Sequence, residues 1–120
     1  MSDRELLEFA AKSIGLEYEI DSAGAIWYPP APPDDGKPYS QTRFCPNTDK
    51  AQSFQLMIDL RIDVEFYRSN DIEGDYVGAI HSSGLVCCYC RENTALNPDI
   101  DSAVQRAILR AAAEIGRAMP

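Results

Sequence analysis

The sequence predicts an α+β fold, a three-layer α/β/α sandwich with a mostly antiparallel sheet and the order α-β-β-α-β-β-β-α. Three observations predict it. The segment from Asn97 to Met119 reads as one long amphipathic helix: Ile100, Val104, Ala107, Ile108, Ala111, Ile115 and Met119 recur at spacings of three and four. A second capped helix opens the chain. Between the two, segments of period-two alternation are joined by short, turn-rich connections, which favours hairpins over crossovers.

Each element has its own signal. Ser2-x-x-Glu5 has the form of a capping box, in which the serine hydroxyl accepts from the Glu5 amide. Leu6, Leu7, Ala10, Ala11 and Ile14 then give an apolar helical face, and Gly15 supplies the stop. Strands over Leu16 to Ile20 and Ala25 to Tyr28 flank the turn Asp21-Ser22-Ala23-Gly24. Residues 29–38 hold so many prolines that neither helix nor central strand can form, so an exposed, locally stiff loop is expected within the single domain 1–120. A brief extended piece at Thr42 to Cys45 precedes a helix from about Asp49 to Leu60, with Phe54, Met57, Ile58 and Arg61 at helical spacing and Ala51 and Leu56 widening the apolar face. Ile62 to Phe66 alternates strictly and reads as a half-buried strand. Tyr76 to His81 and Leu85 to Arg91 are strands joined by Ser82-Ser83-Gly84. The run from Leu85 to Cys90 is apolar on both faces and is expected at the centre of the sheet. Asn97 is the expected N-cap of the last helix, with Pro98 at its first position.

Composition narrows the function classes. With 19 acidic and 11 basic side chains, the formal net charge is −8. That argues against direct nucleic-acid binding, which needs clustered Lys and Arg, and suits docking on a basic protein surface. No apolar run is long enough to span a bilayer, so no membrane association is expected. The polar start, Met1-Ser2-Asp3-Arg4-Glu5, lacks the apolar stretch of a signal peptide, so a cytoplasmic location is expected. Cys45, Cys87, Cys88 and Cys90 have no Cys-x-x-Cys spacing, and strand alternation puts Cys87 on the face opposite Cys88 and Cys90. Buried thiols are expected, with no metal and no cofactor. His81 is the only histidine; Asp75 is the acid available to orient it as a general base, but a lone histidine at a strand end is ordinarily a surface residue. No phosphate loop, nucleophile elbow or dinucleotide fingerprint occurs, and the chain is read as a non-enzyme.

Two surfaces remain as binding candidates. Asp63, Glu65, Asp71, Glu73 and Asp75 form an acidic face at a strand and the turn after it. Arg106, Arg110 and Arg117 fall near one another around the last helix and suit an anionic ligand, the plainer account being a solvated helix face. Trp27, Tyr28 and Tyr39 flank the proline loop and are the aromatic types that anchor interaction surfaces.

Three segments, Asp3 to Ala11, Phe44 to Val64 and Gln105 to Gly116, together resemble the phage ABA-sandwich domain family of small bacteriophage proteins. The likeness covers about half the chain. Phe44-Cys45-Pro46-Asn47 stands where the family has a Trp-Asn-Pro-Leu-like turn, and the proline loop and three-cysteine strand have no family counterpart. The resemblance implies the three-layer packing and a phage or prophage origin, and it carries no catalytic residues. Size, acidity and the lack of catalytic motifs then point to a counter-defence inhibitor that binds a host immune protein in the bacterial cytoplasm, in the manner of an anti-CRISPR. The alternatives are a sponge for a nucleotide immune signal, using Trp27, Tyr28 and the three arginines, and a structural or assembly role in the virion.

Overall fold

A computed structural model describes residues 2–31, 40–67, 75–82, 87–93 and 99–120. Three helices and two three-stranded antiparallel sheets make a mixed α+β fold. Asp71, Glu73, Tyr39, Asn97-Pro98, Ser83-Gly84, Leu85-Val86 and most of the proline loop lie outside the described residues.

Helix α1 (Asp3–Ser13) begins at the expected capping box: the Glu5 amide donates to Ser2 Oγ (3.2 Å) and the Ser2 amide to Glu5 Oε1 (3.4 Å). Gly15, at φ +67°, turns the chain out of the helix. Strands β1 (Glu19–Ile20), β2 (Ile26–Tyr28) and β3 (Thr42–Arg43) form the first sheet in that order. The extended piece at Thr42 is therefore a paired strand, and the order becomes α-β-β-β-α-β-β-β-α. Gln52 ties this sheet to helix α2 (Lys50–Leu60): its Oε1 accepts from the Cys45 amide (2.7 Å) and its Nε2 donates to the Arg43 carbonyl (2.7 Å).

In α2 the buried positions are Ser53 and Leu56, with Met57 and Leu60 partly covered. Phe54 and Ile58, expected on the apolar face, point outward at 58% and 38% exposure. The helix is rotated relative to the expected stripe because Leu56 and Leu60 supply the contacts to the core.

The second sheet is a meander of β4 (Asp63–Tyr67), β5 (Tyr76–Ser82) and β6 (Cys87–Asn93). The cysteine-bearing strand is at its edge and β5 is central, since successive antiparallel pairings leave the middle strand of three inside. Val64, Ala79 and Cys90 are register partners on the side facing helix α3 (Ile100–Ala118), and Ala79 and Cys90 are buried there.

Helix α3 packs against α1, α2, β5 and β6. Its N-cap is Asp99, whose carboxylate accepts from the Ser102 amide (2.7 Å), so the cap lies two residues beyond Asn97. Ile108 and Ile115 are buried as expected, but Ile100 and Met119 are 52% and 38% exposed. Leu109, Ala112 and Ala113, off the expected stripe, are fully buried, because α1 covers a second side of the helix. Thus α1 lies on α3 and α3 on one face of the second sheet. No described helix lies on the other face, whose side chains include Asp63, Glu65 and Arg91, all exposed. Among the described residues no helix is long and apolar enough to cross a membrane.

Candidate functional site

The open face of the second sheet follows from strand alternation. Residues on β4 at odd positions point away from α3, and their register partners on β5 and β6 point with them. One row across the sheet is Tyr67, Tyr76 and Asn93; the next is Glu65, Gly78 and Arg91; the third begins with Asp63 and Ile80. Tyr67 and Tyr76 stack at 4.6 Å between ring centroids and 15° between planes. The Arg91 guanidinium lies 3.7 Å from the Tyr76 ring centroid, where the ring's negative face attracts the cation. Gly78 places no side chain between Glu65 and Arg91.

Asp63 and Glu65 are exposed on this face, and neither takes an ion pair among the described residues. Asp75, also exposed, immediately precedes β5. Three of the five acidic candidates therefore flank one face. That face is mixed in character, with a tyrosine stack and a cation beside the carboxylates. Nothing in the acidic pattern of the sequence marks the stack, which comes from the register that pairs Tyr67 with Tyr76.

The arginines are engaged elsewhere. Arg106 Nε and Arg110 Nη1 both reach Glu92 Oε1, at 3.3 and 3.1 Å, and the Glu92 side chain is only 12% exposed. Arg106 also pairs with Asp3 (3.1 Å), and Arg110 donates to the Arg91 carbonyl (2.7 Å). These two side chains lock α3 to β6 and to the start of α1. Arg117 pairs along its own helix with Glu114 (3.6 Å).

Trp27 and Tyr28 sit on β2, in the other sheet. The Trp27 indole donates to Asp21 Oδ2 (2.8 Å), while Asp21 Oδ1 accepts from the amides of Ala23 (2.8 Å) and Ala25 (3.0 Å). Asp21 thus organises the hairpin turn and anchors the tryptophan. Tyr28 meets Phe44 edge to face at 6.2 Å. Beside Tyr28 is a 130 Å³ cleft lined by Leu16, Phe44, Leu56, Gln52, Gln55 and Asp59, among others, with no basic group. Ligand pockets are usually ~300 Å³ or more, and a nucleotide's phosphates would meet only a carboxylate here. The aromatics and arginines are not gathered into one site.

The Trp27 indole, followed by the Ala25 amide, holds the Asp21 carboxyl below the usual carboxylate range. A depressed folded-state value means that the bond network contributes fully above the unfolded-state pKa and is lost as pH falls through the folded value. Urea midpoints followed by Trp27 fluorescence should therefore fall as pH drops through and below the ordinary carboxylate range, and Asp21→Asn should flatten that part of the fall. An equal fall in the variant would remove Asp21 as the cause.

His81 and Asp75 lie at opposite ends of β5, about 20 Å apart at the rise of an extended strand, and do not form an acid–base pair. Cys45 is partly buried and Cys90 buried, and the side chains of Cys87 and Cys88 lie outside the described set. Among the described residues no group of three His, Cys, Asp or Glu side chains is placed to hold a metal ion. No family model, curated protein or solved structure matches this chain.

Proposed function

We propose that this chain is a non-catalytic phage accessory protein. In this reading it is a counter-defence inhibitor that acts in the bacterial cytoplasm by binding a host immune protein through the open face of its second sheet. The observation that carries the reading is that face itself, where Asp63 and Glu65 stand exposed beside the Tyr67–Tyr76 stack with no described helix over them. Tyrosine and arginine are the residue types that dominate interface energetics, and carboxylates around them steer a basic partner. The net charge of −8 adds long-range attraction of the same sign. The nucleotide-sponge alternative loses its principal groups, because Arg106 and Arg110 are already bridged by Glu92.

Affinity capture from a phage-sensitive host's lysate, with quantitative mass spectrometry, tests this. The wild type should enrich a component of a defence system. Asp63→Lys with Glu65→Lys should weaken that capture by about tenfold or more at ~0.15 M salt and flatten its salt dependence. Capture that enriches no defence component overturns the inhibitor reading; undiminished capture by the charge-reversed variant overturns the face.

A further inference from the structure

Beside the open face, the edge of the second sheet has a second character. Strand β4 pairs with β5 along one side, and no described strand pairs with its other side. Its pairing runs without a bulge from Asp63 to Tyr67, it contains no lysine or proline, and its charged residues, Asp63 and Glu65, would repel an acidic strand and admit a basic one. Next to that edge, between α2 and β4, runs a groove of 300 Å³ floored by Val104 and Ile108 of α3. Phe54 and Phe66 line it while remaining 58% and 63% exposed, and Met57 shares the lining. Two phenylalanines exposed to that extent on one groove form an apolar patch of the sort that marks an interaction site.

The parity of β4 states what would fit. Val64 and Phe66 point to the groove side, and Asp63, Glu65 and Tyr67 to the open face. A strand added along this edge sets alternate side chains over the groove and beside the carboxylates. Apolar residues suit the first set and basic residues the second. A second copy of this chain brings the same net charge of −8 to the edge and, in the register that pairs all five residues of β4, sets its carboxylates against each other. Two-fold pairing of β4 with itself centred on Glu65 sets Glu65 against its own copy, and pairing centred on Val64 sets Asp63 against Glu65. Like charges directly opposite destabilise a strand pair.

We propose that the free edge of β4 and the adjoining Phe54–Phe66 groove receive an extended segment of the partner protein in which apolar and basic residues alternate. The segment extends the sheet through main-chain hydrogen bonds, its apolar side chains cover the two phenylalanines, and its basic side chains pair with Asp63 and Glu65. This rests on the protein-binding reading above and adds the mode of recognition to it.

The test uses the full chain and two labelled peptides of the same composition, one alternating lysine and valine, the other with the two residue types in separate blocks. By fluorescence anisotropy the alternating peptide should bind about tenfold or more tightly than the block peptide, and its binding should slow hydrogen exchange at β4 amides. Phe54→Ser should weaken it about tenfold. Phe54 is exposed on a helix surface, so this variant keeps its fold, and Phe66→Ser, checked by thermal melting, is the second arm. Equal binding of the two peptides, no protection at β4, or no effect of Phe54→Ser overturns strand addition. In lysate capture, a partner lost with Asp63→Lys and Glu65→Lys but retained by Phe54→Ser leaves the open-face reading standing and removes this one.

Discussion

Gly116→Ala should destabilise the protein by about 3 kcal/mol or more, at or beyond the upper end for an overpacked core. A β-carbon at Gly116 would sit 1.8 Å from the Phe9 carbonyl oxygen and 2.7 Å from its carbonyl carbon, with the Ser13 amide nitrogen at 3.2 Å. The obstruction is backbone, so no side-chain rotation relieves it. Helices α1 and α3 must separate, and Ala10, Ala11, Ala112 and Ala113, all fully buried, would lose contact as they do. The Lys12 ammonium, which donates to the Met119 carbonyl (2.9 Å), would be drawn from the end of α3 as well. The expected drop in Tm is roughly 10 °C or more for a domain of this size. Gly15→Ala is the control. Gly15 has a positive φ but no atom within 4 Å of the added carbon, so its cost is limited to backbone strain of about 1 kcal/mol. Equal melting of the two variants would show that the helices are not in backbone contact.

That contact explains much of what was and was not legible in the sequence. The capping box at Ser2, the stop at Gly15, the Asp21 turn and the alternation over β4 are local signals, and each element appears in the structure where its residues place it, though Phe66, on the inward parity of β4, is 63% exposed. The alanines of α3 carried no such message. They widen an apolar stripe in any amphipathic reading, whereas here Ala112, Ala113 and Gly116 form a small-residue surface that lets α1 approach. The stripe logic assumes one covered side, and α3 has several neighbours. The same assumption misplaced Phe54 and Ile58, whose spacing is helical but whose side of α2 is left open.

The candidate site was readable only in its charges. Asp63 and Glu65 follow from alternation alone, because polar residues at every second position of a strand must share one face. The Tyr67–Tyr76 stack depends on hairpin register, and the seating of Arg91 on Tyr76 depends on a third strand, so neither follows from local pattern. The arginines illustrate the converse. Their helical spacing correctly places Arg106 and Arg110 together, but Glu92, the carboxylate that both hold, comes from β6, so the clamp between α3 and the sheet does not follow from the helix alone.

Ile108→Asp should abolish cooperative folding. Ile108 is 2% exposed at the floor between α2, α3 and β4, in the same lining as Met57, Val104 and Phe66. Removing the buried side chain forfeits about 2–3 kcal/mol of transfer free energy. The carboxylate put in its place would stand at a position now 2% exposed, against Met57, Val104 and Phe66, and an unpaired, desolvated charge costs several kcal/mol more. Together these match most of the ~5–15 kcal/mol by which a domain is ordinarily stable. Ile100→Asp separates this account from a simple stripe. Both isoleucines belong to the same helical repeat in the sequence, yet Ile100 is 52% exposed in the first turn. Its replacement by aspartate adds an acidic group where the helix N-terminus favours one, so it should melt within a few degrees of wild type. The comparison is made by circular dichroism under identical conditions. A cooperative transition for Ile108→Asp, or loss of one for Ile100→Asp, would place the hydrophobic floor of the molecule elsewhere on α3.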